Sequence, residues 1–466
     1  ICSFKKHKTY LEILPFFLSQ HYNHILVFEL IMSDSKVTLD SKLTVVSSRP
    51  VKRGMIHKLS GVDHGMGYHT LHLIFYYKNE DNWFESFELD PLRESLSKVL
   101  SMYPTVTGRL ARVEEDGGDW EIRCNDTGVR VIKANVDSTI EKWLSSSAGG
   151  PDEAQLIAWD DMPLDTSTWS PFQIQINSFK EGGIAIGVSC THMIADLTFL
   201  SSFFKSWSQI YRHVTPISHP PFLTPISITS SPNNNEDMSP NSEPKPQTNI
   251  TSATFKFSNS IIKQLTSKCA GATAFDVLAA LFWTRVTLLK GSNLHKQNHS
   301  LSICRDFRKL IKTNLPVGYF GNALHFSKFS LNSEEMKNGK KLEDIASLIH
   351  MHMTEVTEEE IMSSIESFES QKESTPKCVY GSSELTCMYM EETESLLYES
   401  MFGDNEKPAH VSCRVGNVGG EGLIMVMPSS EGGFARNVIV MLKEEQVDKL
   451  CKDQEMLMLQ PTIILC

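Results

Sequence analysis

The sequence predicts a mixed α/β protein of two domains, and three observations carry that prediction. At 466 residues the chain exceeds the size at which one hydrophobic core keeps growing. A strand pattern gives way to a helix pattern at His192-Met193-Ile194-Ala195-Asp196. The composition then breaks between His213 and Ile250, a stretch holding eight of the twenty prolines, Asn233-Asn234-Asn235 and many serines. Such a segment has too little apolar surface to fold alone. It reads as a surface crossover, residues 213–250, joining an N-terminal domain (33–212) to a C-terminal domain (251–466).

Residues 1–32 stand apart. They begin with Ile1 and run through Lys5-Lys6-His7-Lys8 into apolar sequence that Glu12, Pro15, Gln20 and His21 interrupt. No run approaches the ~18 apolar residues of a membrane span. The segment reads as upstream sequence or a disordered extension ahead of a start at Met32.

Within the N-terminal domain, Asp90-Pro91 supplies a cap and a first-turn proline for a helix. Leu92, Leu96, Val99, Leu100 and Tyr103 form its buried stripe, and Pro104 stops it. Trp120–Cys124 and Val129–Ile132 look like two short strands around the turn Asn125-Asp126-Thr127-Gly128. The run from Gly182 to Thr191 opens on a turn and puts Ile184, Ile186, Val188 and Cys190 on one face, with small residues on the other. After Asp196, the residues Leu197, Leu200, Phe203, Phe204, Trp207 and Tyr211 follow a helical stripe. A histidine at such a junction sits on rigid elements yet reaches an opening, as a catalytic base must. In the C-terminal domain, Thr273-Ala274-Phe275-Asp276 resembles a capping box ahead of a helix through Leu278, Leu281, Phe282 and Leu289. The charged stretch from Ser333 to Glu373 predicts one or more exposed helices.

Composition narrows the function class. A formal charge of −12 argues against a nucleic-acid partner, which needs a basic stripe. None of the ten cysteines forms a C-x-x-C pair, so neither a zinc ribbon nor a dithiol redox motif is signalled, and they read as reduced thiols of a cytoplasmic protein. His64, His69 and His72 do not share a face of a strand or helix and read as polar residues at a strand entrance, not metal ligands. His295 and His299 lie one helical turn apart without a zincin glutamate, in what reads as a polar loop. There is no G-x-S-x-G elbow for a serine hydrolase.

The junction and its surroundings resemble the plant BAHD acyltransferases, which move an acyl group from coenzyme A to an alcohol or amine. His192-x-x-x-Asp196 matches their H-x-x-x-D motif, with Phe203 and Trp207 at the expected spacing. Tyr103–Leu110 is similar to their Y-P-x-x-x-G-R-L segment. Asp306-Phe307-Arg308 and Gly318-Tyr319-Phe320-Gly321-Asn322 look like their D-x-R and G-Y-F-G-N pair, and the resemblance covers roughly residues 37–466. It implies two similarly sized α/β domains, as in chloramphenicol acetyltransferase, with a channel between them and the histidine at its middle. It implies His192 as general base, Asp196 as a structural residue paired with an arginine, acyl-CoA as co-substrate, a small-molecule acceptor, a monomer, and neither metal nor permanently bound cofactor. From its position alone, Asp196 is also a candidate helix cap.

The second family signature, D-F-G-W-G, is altered. Tyr398–Pro408 aligns with it only with one inserted residue, Met401 replacing the aspartate and Asp404 the tryptophan. The arginine that this aspartate pairs with in the family, Arg305 or Arg308, must then find Asp404, Glu406 or water. Leu197 replaces the usual glycine after Asp196 and Phe199 a common serine, changes expected to narrow the channel or to alter the backbone after Asp196. Thr386 is the candidate oxyanion donor by position. Cys124–Arg130 and Glu141–Leu144 share the look of the eceriferum-type branch, associated with very-long-chain wax synthesis. That branch implies an alternative: a non-catalytic accessory protein with a fatty-acid elongase as partner.

Overall fold

The structure, a computed structural model, describes residues 36–85, 91–113, 118–145, 150–225, 249–269, 271–290, 298–332, 341–372 and 375–465. The segment 1–32 and most of the crossover lie outside them. Among the described residues the strands form three sheets. The first has six strands in the order Val37–Val45, Val129–Val136, Phe172–Phe179, Ile184–Thr191, Thr70–Tyr77 and His410–Gly416. The second has seven: Leu324–Asn332, Asn298–Asp306, Leu385–Tyr389, Leu423–Pro428, Arg436–Lys443, Ile250–Phe257 and Thr462–Leu465. A small sheet joins Ile56–Lys58, Trp120–Arg123 and Arg109–Arg112.

The division at 213–250 is therefore crossed. His410–Gly416, from the C-terminal half, pairs antiparallel with Thr70–Tyr77 at the edge of the first sheet. One apolar core spans both halves: Leu71, Ile186, Phe203 and Trp207 pack in the same cluster as Met425, Ile439 and Met441. A second core lies between the larger sheet and the helix Ala274–Leu289. The start of the crossover also binds inward, since Phe222 exchanges backbone hydrogen bonds with Gly318 and Phe320 (2.8 and 2.9 Å). A Cβ on Gly318 would meet the Pro220 carbonyl oxygen at 2.1 Å, so only glycine allows this approach.

Several sequence-based elements hold their places. The helix Pro91–Leu100 buries Leu92, Leu96, Val99 and Leu100. Thr273 and Asp276 close a reciprocal capping box. The stretch 333–373 contributes two helices, Leu342–Glu355 and Glu358–Ser370. Two strands flank Asn125–Gly128 as expected, but they do not pair with each other: Trp120–Arg123 joins the small sheet, whereas Val129–Val136 joins the first. The turn there switches sheets, with Asp126 and Gly128 at positive φ and the Asp126 carboxylate accepting from Ser47. His299 lies on the strand Asn298–Asp306 rather than in a loop, and His295 is outside the described residues.

Among the described residues, no helix is long and apolar enough to cross a membrane. The described cysteines are all free.

Candidate active site

Strand Ile184–Thr191 is buried along its whole length. Ile184, Ile186, Val188 and Cys190 face the main core. On the opposite face a Cβ at Gly187 would stand 2.4 Å from the Leu156 carbonyl oxygen, which explains the small residues there. The strand delivers His192 into a tight turn, and Asp196 opens the helix Leu197–Tyr211.

Asp196 does both things its sequence position allowed. Its Oδ1 accepts the Phe199 N–H (2.8 Å), capping the helix. Its two oxygens also take a bidentate pair from Arg308 (2.7 and 3.0 Å), and Oδ2 accepts the Ala323 N–H (2.9 Å). Arg308 in turn bonds Asp306 (2.8 Å) and donates to the Tyr319 carbonyl (3.1 Å). The two flanking carboxylates outweigh burial and raise the Arg308 guanidinium further above its ordinary value. Both Asp196 and Arg308 are almost wholly enclosed, so this pair ties the end of the N-terminal strand to the C-terminal half.

His192 is held through its backbone. Its N–H donates to the His69 carbonyl (3.0 Å), and its carbonyl accepts from Asn322 Nδ2 (2.8 Å). Asn322 donates from both its backbone and side chain to Asp63 Oδ1 (2.8 Å each). The other oxygen of Asp63 closes a capping box with Ser60. Gly321, at φ +107°, lets the chain pass Asp63, since a Cβ there would come within 3.0 Å of its carboxylate.

The imidazole is fully buried, with Nε2 at 3.0 Å from the Tyr380 hydroxyl. Burial pushes its pKa down to about 4, against smaller opposing effects of the His192 and Ala195 carbonyls and Asn322. The ring is neutral at physiological pH.

A cavity of about 190 Å³ lies against it. That volume is more than ten times the ~10–15 Å³ that one water requires. Both halves contribute walls: His192, Leu197 and Thr198 from one, and Cys304, Tyr380 and Met388 among others from the second. Lys309 and Glu392, both well exposed, stand where it meets solvent.

Several sequence-predicted residues are placed differently from expectation. Neither Arg305 nor Arg308 reaches Asp404 or Glu406. Arg305 donates to the Met353 carbonyl and lies over Tyr389, and Arg308 is taken by Asp196 and Asp306. Glu406 instead accepts from Asn79 N–H and Trp83 Nε1. Thr386 does not line the cavity; its hydroxyl oxygen accepts the Gly381 N–H (3.0 Å). Leu197 lines the cavity, but Phe199 packs edge-on to Tyr103 and Phe320.

His64, His69 and His72 do not converge. His64 accepts from Trp120 N–H, His72 bonds Ser189 and Thr70, and His69 links Gly416 to Val379 and Tyr380. Among the described residues, no three metal-ligating side chains gather.

Sequence reasoning missed Asp63 and Tyr380, and it read His69 only as a polar residue at a strand entrance. Asp63 carried a signal, because Ser60-x-x-Asp63 is a capping box.

Comparison with known proteins gives this geometry a lineage. The sequence model of the Transferase family matches residues 35–457. The chain belongs to that family, the BAHD acyltransferases. It is 26% identical over 402 residues to a hydroxycinnamoyltransferase of Narcissus pseudonarcissus, covering 81% of this chain and 90% of that protein. It is 26% identical over 439 residues to Protein ECERIFERUM 2 of Arabidopsis thaliana, covering 90% and 98%. The crystal structure of F. sporotrichioides TRI101 complexed with Coenzyme A and T-2 superposes with a TM-score of 0.69 at 15% identity, covering 86% of this chain and 98% of that one. This BAHD chain thus shares the two-domain α/β fold of its solved relatives.

Proposed function

We propose that this BAHD protein transfers an acyl group from acyl-CoA to a hydroxyl or amine of a small plant metabolite, with His192 as general base. The observation that carries the reading is a neutral, backbone-anchored imidazole at the wall of a cavity of about 190 Å³ that both halves line. The hydroxycinnamoyltransferase relative and the neighbour's complex with Coenzyme A support a thioester donor.

The chemistry follows from the residue type. His192 accepts the acceptor's proton as its oxygen or nitrogen bonds to the thioester carbonyl carbon. A positioned base of this kind contributes ~10²–10⁴-fold in rate. Collapse of the tetrahedral adduct breaks the C–S bond, and the departing thiolate recovers the proton. Asp196 never meets substrate; its ion pair with Arg308 sets where the histidine turn lies.

A second reading has its own support. The hydroxyl of Tyr380 already occupies Nε2 of the base, and the similarity to ECERIFERUM 2 spans nearly the whole chain. Under it, the protein keeps the fold and assists a fatty-acid elongase without turnover.

His192→Ala separates the two. Acyl-CoA donors are incubated with pooled plant alcohols and amines, and products are read by mass. A fall in turnover of at least ~10²-fold supports the transferase. Unchanged cellular function in the same variant, with no product from the wild type, supports the accessory role.

A further inference from the structure

The geometry points to Tyr380 as a proton carrier between the acceptor and His192. The inference rests on His192 being the base. The Tyr380 hydroxyl lies 3.0 Å from His192 Nε2, the two rings lie 27° from parallel with centroids 5.7 Å apart, and both side chains line the cavity. An acceptor that enters finds the nitrogen that must take its proton already engaged.

Either Tyr380 swings away or the proton passes through it. The backbone around it argues for passage. Its N–H faces His69 Nε2 (3.4 Å), alongside the Val379 N–H (3.0 Å). Its carbonyl accepts the Gly419 N–H (2.8 Å). The next residue, Gly381, donates to Thr386 Oγ1 (3.0 Å) and accepts from the Glu421 N–H (2.9 Å). Gly381 sits at φ +68°, and a Cβ there would stand 2.6 Å from Gly422 N, so the turn has no slack.

The ring is equally confined. It is fully buried and packs against His69 (4.8 Å) and Phe326 (5.7 Å) as well as His192. Displacing it means opening a close-packed contact set on three sides, whereas passing a proton moves no heavy atom of the protein. The protonation states agree: burial drives the phenol well above its ordinary value, keeping its proton, while the imidazole stays neutral and ready to accept.

The step balances. The acceptor's O–H or N–H proton moves to the Tyr380 oxygen as the proton already there moves to His192 Nε2. The acceptor's lone pair forms the bond to the carbonyl carbon. On collapse the C–S bond breaks, the sulfur takes its electron pair, and the proton on His192 returns to it by the same path. Tyr380 ends as it began.

Tyr380→Phe tests this, because it keeps the ring and removes only the hydroxyl. The full chain is assayed with p-coumaroyl-CoA and palmitoyl-CoA against pooled alcohols and amines, alongside His192→Ala. The expected result is a fall of about 10²-fold in kcat, with KM and Tm unchanged. Rates in H2O/D2O mixtures should curve for the wild type, with two protons in flight, and become linear for the variant. Tyr380→Phe with wild-type or higher kcat, while His192→Ala is inactive, overturns the carrier and leaves the base standing. His192→Ala with full activity overturns the base itself. A donor-free arm reads the His192 Nε2 resonance in 15N-histidine-labelled protein. A shift on Tyr380→Phe is expected, and none means that the contact does not exist in solution.

Discussion

Around His192–Asp196 the chain is held by charge and directed hydrogen bonds; around Met401–Asp404 it is held by rings. In the first region Asp196 accepts four hydrogen bonds, two of them from Arg308. In the second, Phe402 stacks on Trp83 (5.0 Å) and meets Tyr77, Phe204, Trp207 and Tyr211 edge-on at 5.3–5.8 Å. Met401, where the family pattern has an aspartate, is half-buried and leaves no arginine stranded. The contrast is one of tolerance. An ion pair enclosed by protein loses nearly everything when one partner goes, because the other is left charged and unsolvated. A cluster of rings loses contact area in increments. The intact motif therefore lies where a single substitution is most damaging, and the altered one where replacement is cheapest.

Four measurements can break or sharpen that contrast. Arg308→Met leaves Asp196 and Asp306 without their cation, and a loss of about 3–5 kcal/mol in urea unfolding is expected; a loss below 1 kcal/mol would erase the distinction between the regions. Next, taken one histidine at a time, is the effect of acid. His57, His69, His72 and His192 are buried, with pKa values pushed down by desolvation to about 4, 3, 3 and 4. The unfolded chain binds protons at each from about pH 6.5 downward while the folded chain does not. Stability is thus full above that pH and falls on acidification towards pH 4, by about 1.4 kcal/mol per pH unit for each histidine. His72→Gln should flatten the measured slope by one such increment.

Phe402→Leu removes ring contacts but keeps most of the volume. About 1.5 kcal/mol should be lost, read as a lower urea midpoint at unchanged m-value. The smallest effect is expected from Met401→Asp, which restores the family residue where no arginine waits for it. Its stability should stay within about 0.5 kcal/mol of the parent, and a gain above 1 kcal/mol would mean that an arginine does turn to meet it.

Legibility followed sequence distance. Helix Pro91–Leu100, the Thr273–Asp276 box and the strand-to-helix junction at His192 are local patterns, and each was readable. The strands beside Asn125–Gly128 were recognisable but their partners were not, because periodicity says which face is buried and not which strand lies alongside. At the site, His192 and Asp196 came from a motif. Tyr380 lies 188 residues from His192, and Asn322 lies 259 from Asp63. No spacing rule reaches that far.

By itself the sequence determined the mixed α/β character, the buried strand that ends at His192, the helix capped by Asp196 and the family to which the whole belongs. Those follow from side-chain periodicity and from short motifs, both local in the chain. Tertiary structure alone decided that Arg308 is Asp196's partner, that a strand of the C-terminal half completes the first sheet, and that a tyrosine hydroxyl rests on the base. These depend on which distant surfaces bury one another, and that is a property of the packed molecule.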